Sequence, residues 1–331
     1  MSAVPGLGGS AAIGNVQAVI EAGGAPAQRL LDRLEGRMAT LAAGHGEPLA
    51  TYAQGTLSAG GKRLRPLLVF LAAGAPPPET DGLLRAAVAV ELVHSATLVH
   101  DDVLDGADLR RGRPTVVAAA GRGLAVATGD LLFSRAFAEL AQGGSAPAVR
   151  ALSRASTELA AGELMQRADA WRIVTPERYL ERCRLKTGVL FRAACELGAI
   201  EGAGPVPALG AFGERIGIAF QLLDDVLDVT GPPERTGKPR GADLLDGTVT
   251  LPLLVARERS DALAQLEPRS VSGAGQAAEV CDAIAATGAL ETVRTQALEM
   301  IGQAKAQLPV LGARQRRALE LVADGVVERY A

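Results

Sequence analysis

Aromatic residues make up only 3% of the 331-residue sequence, and cysteine is scarce, with three in all. Such a shortage of aromatics, beside a hydrophobic fraction of 48% carried by Ala, Leu and Val, argues against a sheet and for close-packed helices. Cys183, Cys195 and Cys281 are odd in number, widely spaced and without a CxxC pair, which excludes a disulfide framework and a cysteine-based zinc site. Buried free thiols in a reducing cytoplasm are the expectation. No basic tail or Arg/Lys run is present and the formal net charge is -3, so any anion binding has to come from local clusters rather than from a general pull toward nucleic acid or an anionic membrane. The Gly-rich stretch from Ser2 to Ser10 has no basic region followed by an apolar one, so no signal peptide is expected. Apolar runs such as Leu83 to Val99 contain Arg85, Glu91 and His94, which argues against a membrane span.

What is present reads as helices. Residues 1–27 are Gly/Ala-rich with few large apolar groups and are expected to be a mobile N-terminal segment; residues 28–331 form one all-α domain. Breakers fall at Pro76-Pro77-Pro78, Gly143-Gly144-Ser145, Gly202 to Pro207, Gly231 to Gly247 and Ser272 to Gly275. The stretches between them are long, Ala/Leu/Val-rich and periodic, and no strand-and-hairpin pattern competes with them.

Asp101-Asp102-Val103-Leu104-Asp105 recurs intact as Asp224-Asp225-Val226-Leu227-Asp228. By composition alone that pair is roughly a one-in-a-thousand coincidence. At about 100° per residue, Asp101 and Asp105 lie about 40° apart and one turn apart in height, so their carboxylates face the same way, as do those of Asp224 and Asp228. Like charges one turn apart repel, and a helix that keeps them calls for a compensating cation. Hard oxygen donors with room for water and phosphate suit Mg²⁺. A solvated acidic face is the plain alternative, but the flanks Leu98-Val99 and Phe220 to Leu223 are apolar. His94, seven residues before Asp101, falls on the same stripe, whereas His100 points away and reads as packing.

Basic groups answer these acids. Gly60-Gly61-Lys62-Arg63-Leu64-Arg65-Pro66 gathers three cations at a loop-to-helix start, and Arg110-Arg111-Gly112-Arg113-Pro114 follows the first pentad. Lys186-Thr187 and Lys238 add further donors. Two di-acid sites and two separate basic clusters describe a cavity for two diphosphates, one held through metal and one by side chains, with ionisation of a diphosphate leaving group as the chemistry.

From about Gln28 onward the sequence closely resembles the trans-prenyl diphosphate synthases, or polyprenyl synthetase family, in Gly61 to Pro66, Glu91 to Pro114, Lys186-Thr187, Phe220 to Asp228 and Gly237 to Pro252. The resemblance implies a single large helical array around a central cavity and a homodimer. It implies head-to-tail condensation of isopentenyl diphosphate with an allylic diphosphate by ionisation, condensation and elimination. By the same resemblance Asp101 and Asp105 bind two Mg²⁺ ions and Asp224 a third, supported by Asp225 and Asp228. Arg110, Lys186 and Lys238 hold the allylic diphosphate; Lys62, Arg65, His94 and Arg111 hold isopentenyl diphosphate; Thr187 and Gln221 face the carbocation; and Glu163 and Gln166 line the allylic site. One departure is Thr248, where many members carry a lysine before the Thr-Leu-Pro segment. Terpene cyclases and head-to-head synthases share Asp-rich helices but have no need of Lys62 and Arg65, and a non-catalytic partner subunit is expected to lose motif residues that are intact here.

In the family the growing chain runs down the helix before the first pentad. Ala96 and Thr97 lie roughly 6 to 7.5 Å below Asp101 and are small, so the floor is open and a medium- or long-chain product, about C30 to C50, is expected. Phe133 or Phe137 from a neighbouring helix would shorten it.

Overall fold

The computed structural model describes residues 10–44, 46–58, 61, 63–110, 112–231 and 239–328. The helices begin and end where local chemistry says they should. Helix α3 spans Leu49–Ser58, α4 (Leu64–Ala73) starts after Arg63, and α5 (Asp81–Asp105) is capped by Thr80, whose hydroxyl accepts from the Leu83 N–H at 3.2 Å. At its other end α5 is closed by Gly106 at φ 62°, a left-handed position that glycine adopts without strain. Thr115, Ser145 and Thr175 cap α6 (Val116–Gln142), α7 (Ala146–Asp169) and α8 (Pro176–Cys183) in the same way. A π-helical segment, Arg184–Gly188, joins α8 to α9 (Val189–Glu201), and α10 (Val206–Thr230) carries the second pentad. After the Gly-rich break come α11 (Ala242–Leu245), α12 (Leu251–Arg257), α13 (Asp261–Ala264), α14 (Ala274–Ala286), α15 (Ala289–Ala306) and α16 (Ala313–Glu328).

Helix α5 is the axis of the array. It packs on α4, α6 and α9 and buries Leu83, Val88, Leu92 and Val99 among others, so its apolarity is that of a core helix although it is long enough to cross a membrane. Helix α6 passes the same test of length and composition but is mostly uncovered in the single chain. Helices α4, α9 and α10 approach closely because glycines face the crossings: a Cβ on Gly198 would fall onto the Val69 carbonyl oxygen, and one on Gly217 would lie 2.9 Å from the Gly188 Cα. The three thiols are buried and unpaired with one another, as expected.

Two features depart from the sequence reading. Leu109–Arg110 and Arg113–Pro114 pair as a short antiparallel ribbon, in register Leu109 with Pro114 and Arg110 with Arg113. Two residues per strand are too few to show a period of two, so the pattern left no trace in the sequence. Residues 10–27, expected to be mobile, contain α1 (Ser10–Gly23) and the start of α2 (Ala25–Ala43); α1 packs on α16 and Val19 is buried. Its apolar side is built from small residues and a few β-branched ones, too weak a stripe to stand out beside the glycines. Residues 1–9 lie outside the described residues.

Gly198→Ala is expected to lower the unfolding free energy by roughly 2 kcal/mol or more, measured by urea denaturation, because backbone rather than a movable side chain meets the new methyl group. A change below about 0.5 kcal/mol would contradict the close α4–α9 crossing.

Candidate active site

A cavity of about 300 Å³ opens between the end of α5, the end of α7, the π segment and α10. His94, Thr97, Leu98, Asp101 and Asp105 line it from α5, while Phe220, Gln221, Asp224 and the largely buried Asp225 line it from α10. Leu159 and Leu190 complete an apolar side. The two pentads, far apart in sequence, therefore face one space.

Each pentad splits its carboxylates between the cavity and the scaffold. Asp102 is buried and takes Arg110 Nε and Nη2, both at 2.7 Å, which fastens the short ribbon to the end of α5. Asp225, its counterpart, is buried as well; it accepts from the Tyr179 hydroxyl and, at 2.8 Å, from Gln221 Nε2. Burial pushes the Asp225 carboxyl well above its usual range, and nearby Asp243 adds to the effect. Asp228 lies beside the cavity rather than in its wall and accepts from the Asp243 N–H at 3.4 Å. Asp101, Asp105 and Asp224 are thus the pentad carboxylates with the clearest access to the cavity.

The acids are met by cations. Arg167 Nη2 donates to Asp105 at 2.6 Å and its Nε to Glu163 at 2.7 Å, while Lys186 Nζ donates to the other Glu163 oxygen at 2.6 Å. Burial alone would raise the Glu163 carboxyl, but Lys186 and Arg167 hold it below the usual range. Asp101 fares differently: burial pushes it up to about 6, against the pull of Lys186. The π segment turns Lys186 and Thr187 into the cavity, where the Thr187 hydroxyl donates to Gln221 Oε1 at 2.8 Å.

Arg65 lines the cavity with its guanidinium 4.7 Å over the Phe191 ring, and Gln166 and Thr248 also line it. Ala96 is fully buried in the core, and of the two small residues expected at the floor only Thr97 lines the cavity. His100 stacks on Phe133 at 5.9 Å, as the packing reading expected. Arg63, grouped with the anion-binding cations in the sequence, is committed elsewhere. It pairs with Glu35 at 2.6 Å and buried Glu91 at 2.7 Å, and its left-handed backbone, φ 47°, starts α4. Lys62, Arg111 and Lys238 lie outside the described residues.

Sequence reading missed Arg167, Asp243, Asp246 and Tyr179, all of which line the cavity. The Glu163 to Arg167 spacing is the common i,i+4 pair of a solvated helix face, and Asp243 lies in and Asp246 just after the four-residue α11, too short an element to show a pattern. Among the described residues no three His, Cys, Asp or Glu side chains converge to hold a metal unaided. Hard oxygens on two walls, with space between them, fit Mg²⁺ that completes its shell with water and phosphate.

With the folded carboxyl of Asp101 at about 6 and its ordinary value at 3.8, its charge costs stability above about pH 6. Asp101→Asn is accordingly expected to raise the metal-free unfolding free energy by on the order of 1 kcal/mol at pH 7, a gain that shrinks as the pH falls through 6 toward 4. A loss of stability at pH 7 in chemical denaturation would contradict this placement of Asp101.

Residues 47–287 match the family model described as Polyprenyl synthetase. The chain is 42% identical over 256 residues to the heptaprenyl diphosphate synthase component 2 of Geobacillus stearothermophilus, covering 76% of this chain and 78% of that one. It is 38% identical over 288 residues to the geranylgeranyl diphosphate synthase of Methanosarcina mazei, covering 82% and 87%. The crystal structure of a decaprenyl diphosphate synthase from Rhodobacter capsulatus superposes with a TM-score of 0.85 at 31% identity, covering 97% and 99%. With the paired pentads on facing walls of one helical cavity, these likenesses establish that the chain belongs to the polyprenyl synthetase family of trans-prenyl diphosphate synthases.

Proposed function

We propose that this chain is a Mg²⁺-dependent synthase that condenses isopentenyl diphosphate head-to-tail with an allylic diphosphate, the observation that carries this being Asp101 and Asp105 facing Asp224 across a cavity with cations on its rim and an apolar side. Asp101, Asp105 and Asp224 would hold three Mg²⁺ ions, with Asp225 and Asp228 supporting the second site through the bonds that fix α10 and the Asp243 turn. The metal, when bound, offsets negative charge on the departing diphosphate.

The chain's own residues do the rest. Lys186 and Arg110, already oriented by Glu163 and Asp102, turn toward the allylic phosphate oxygens, together with Lys238. Arg65 and His94, with Lys62 and Arg111, receive isopentenyl diphosphate, the Arg65 guanidinium lying 4.7 Å over the Phe191 ring. The oxygens of Thr187 and Gln221, linked to each other and to Asp225, offer fixed dipoles to a cation forming on the allylic carbon. Leu98, Leu159, Leu190 and Phe220 exclude water from it. The released diphosphate then takes the proton lost in the elimination.

Thr97 is the small residue at the cavity wall, and Phe133 and Phe137 pack against the core rather than into the cavity, which supports a medium- or long-chain product. The uncovered apolar helix α6, with Val126 exposed, is suited to a second copy of the chain, so a homodimer in the cytoplasm is the working assembly. The Geobacillus relative is a component 2, which favours one second reading, in which this chain acts with a separate component.

One experiment addresses these points together. Purified chain, supplied with labelled isopentenyl diphosphate, a short allylic primer and Mg²⁺, is expected to give C30 or longer products by mass spectrometry, while Asp101→Ala and Asp224→Ala lower turnover by about 10³-fold or more at unchanged helix content. Products that stop at C15 or C20 would overturn the chain length. Near-normal turnover in either variant would overturn the metal assignment, and no turnover without an added component would favour the second reading.

A further inference from the structure

Arg167 sits on the last turn of α7, and neither the resemblance nor the relatives' names assign it a role. It lines the cavity beside Asp105, Arg110 and Lys186. Its guanidinium is divided between two acids, Nη2 on Asp105 at 2.6 Å and Nε on Glu163 at 2.7 Å. The Asp105 carboxylate it grips is one of those proposed above to hold a metal ion.

Two cations cannot share Asp105 cheaply. A divalent ion brought to that carboxylate repels the guanidinium a few ångströms away and competes with it for the same oxygens. Arg167 is also placed to leave. Its side chain is 39% exposed and that of Asp105 31%, so the pair is partly solvated and its net strength is modest. Glu163, one turn back on the same helix and itself anchored by Lys186, retains the Nε while the Nη edge of the fork swings. The flat fork of the guanidinium fits phosphate oxygens in pairs, and Arg167 lines the same cavity as Arg110 and Lys186, the residues proposed above to hold the allylic diphosphate.

We infer that Arg167 is a further diphosphate-binding residue that also guards Asp105, neutralising it in the substrate-free chain and transferring to the phosphate when a divalent cation takes its place. The inference rests on the proposed metal and diphosphate site, and it gives removal of the guanidinium two effects of opposite sign. Metal alone binds more tightly, because a competitor is gone. Diphosphate with metal binds more weakly, because a phosphate ligand is gone. A residue that merely braces the helix would move both affinities the same way or neither.

The test is isothermal titration calorimetry on the full chain and on Arg167→Leu, first with Mn²⁺ alone and then with inorganic diphosphate in the presence of Mg²⁺. Arg167→Leu is expected to bind Mn²⁺ about 3- to 10-fold more tightly and diphosphate at least about 10-fold more weakly. In steady-state kinetics KM for the allylic substrate is expected to rise while KM for isopentenyl diphosphate stays within about twofold. Arg167→Lys, which keeps the charge but not the fork, is expected to bind Mn²⁺ as the unmodified chain does and diphosphate more weakly; it carries the test should the leucine variant fold poorly by circular dichroism. Parallel changes in both affinities, or none, in a chain that turns over normally would overturn the role of Arg167 alone. An unmodified chain that binds neither ligand and makes no product would instead overturn the proposed function.

Discussion

Asp101, Asp105 and Asp224 are carboxylates set into the walls of an otherwise apolar helical array, and negative charge held there without a partner costs several kcal/mol. The rest of the site is arranged around that cost. Asp105, Arg167, Glu163 and Lys186 form an alternating chain of charges with each link between 2.6 and 2.7 Å. Asp101 is outside that chain and bears the consequence, its carboxyl pushed up to about 6 by burial. A cavity built this way is nearly neutral when empty. A metal diphosphate would suit it, because Arg167 could exchange Asp105 for a phosphate oxygen and leave that carboxylate to the metal.

Such an exchange demands that the backbone hold still. The inner acid of each pentad serves this end: Asp102 ties the Arg110 ribbon to α5, and Asp225, bonded to Tyr179 and Gln221, ties α10 to α8. Behind them the glycine crossings of α4, α9 and α10 leave the backbones too close to slide. The π segment at Arg184–Gly188 is the one break in an otherwise continuous run from α8 into α9, and it delivers Lys186 and Thr187 to the cavity. Irregular helix here has a chemical use, as it often does at functional sites.

Much of this was legible in the sequence because it is local. The pentads are short, identical and spaced for one helical turn; the Pro- and Gly-rich breakers fall where α4, α6, α9 and α10 end; and His94, Thr97, Gln221 and Lys186 reach the cavity as the helical spacing and the motifs suggested. What escaped was the identity of partners distant in sequence. Nothing in the spacing of Asp105 and Arg167, or of Tyr179 and Asp225, shows that they meet, since their contact depends on how helices cross. Charge counting also misled at Arg63, which looked like one of three anion-binding cations but is held by Glu35 and Glu91. In the second pentad burial sets Asp225 apart from Asp224, and Asp228 is set apart by accepting from the Asp243 N–H.

The claim on which this account turns is that the two pentads meet through metal-bound diphosphate. Anomalous scattering from a crystal grown with Mn²⁺ and a non-ionisable allylic diphosphate analogue tests it most directly. The account predicts manganese peaks beside Asp101 and Asp105 and beside Asp224, bridged by phosphate oxygens, with Lys186 and Arg110 on the same phosphates. Manganese bound elsewhere, or the analogue seated in the cavity with these carboxylates still held only by their present partners, would contradict it.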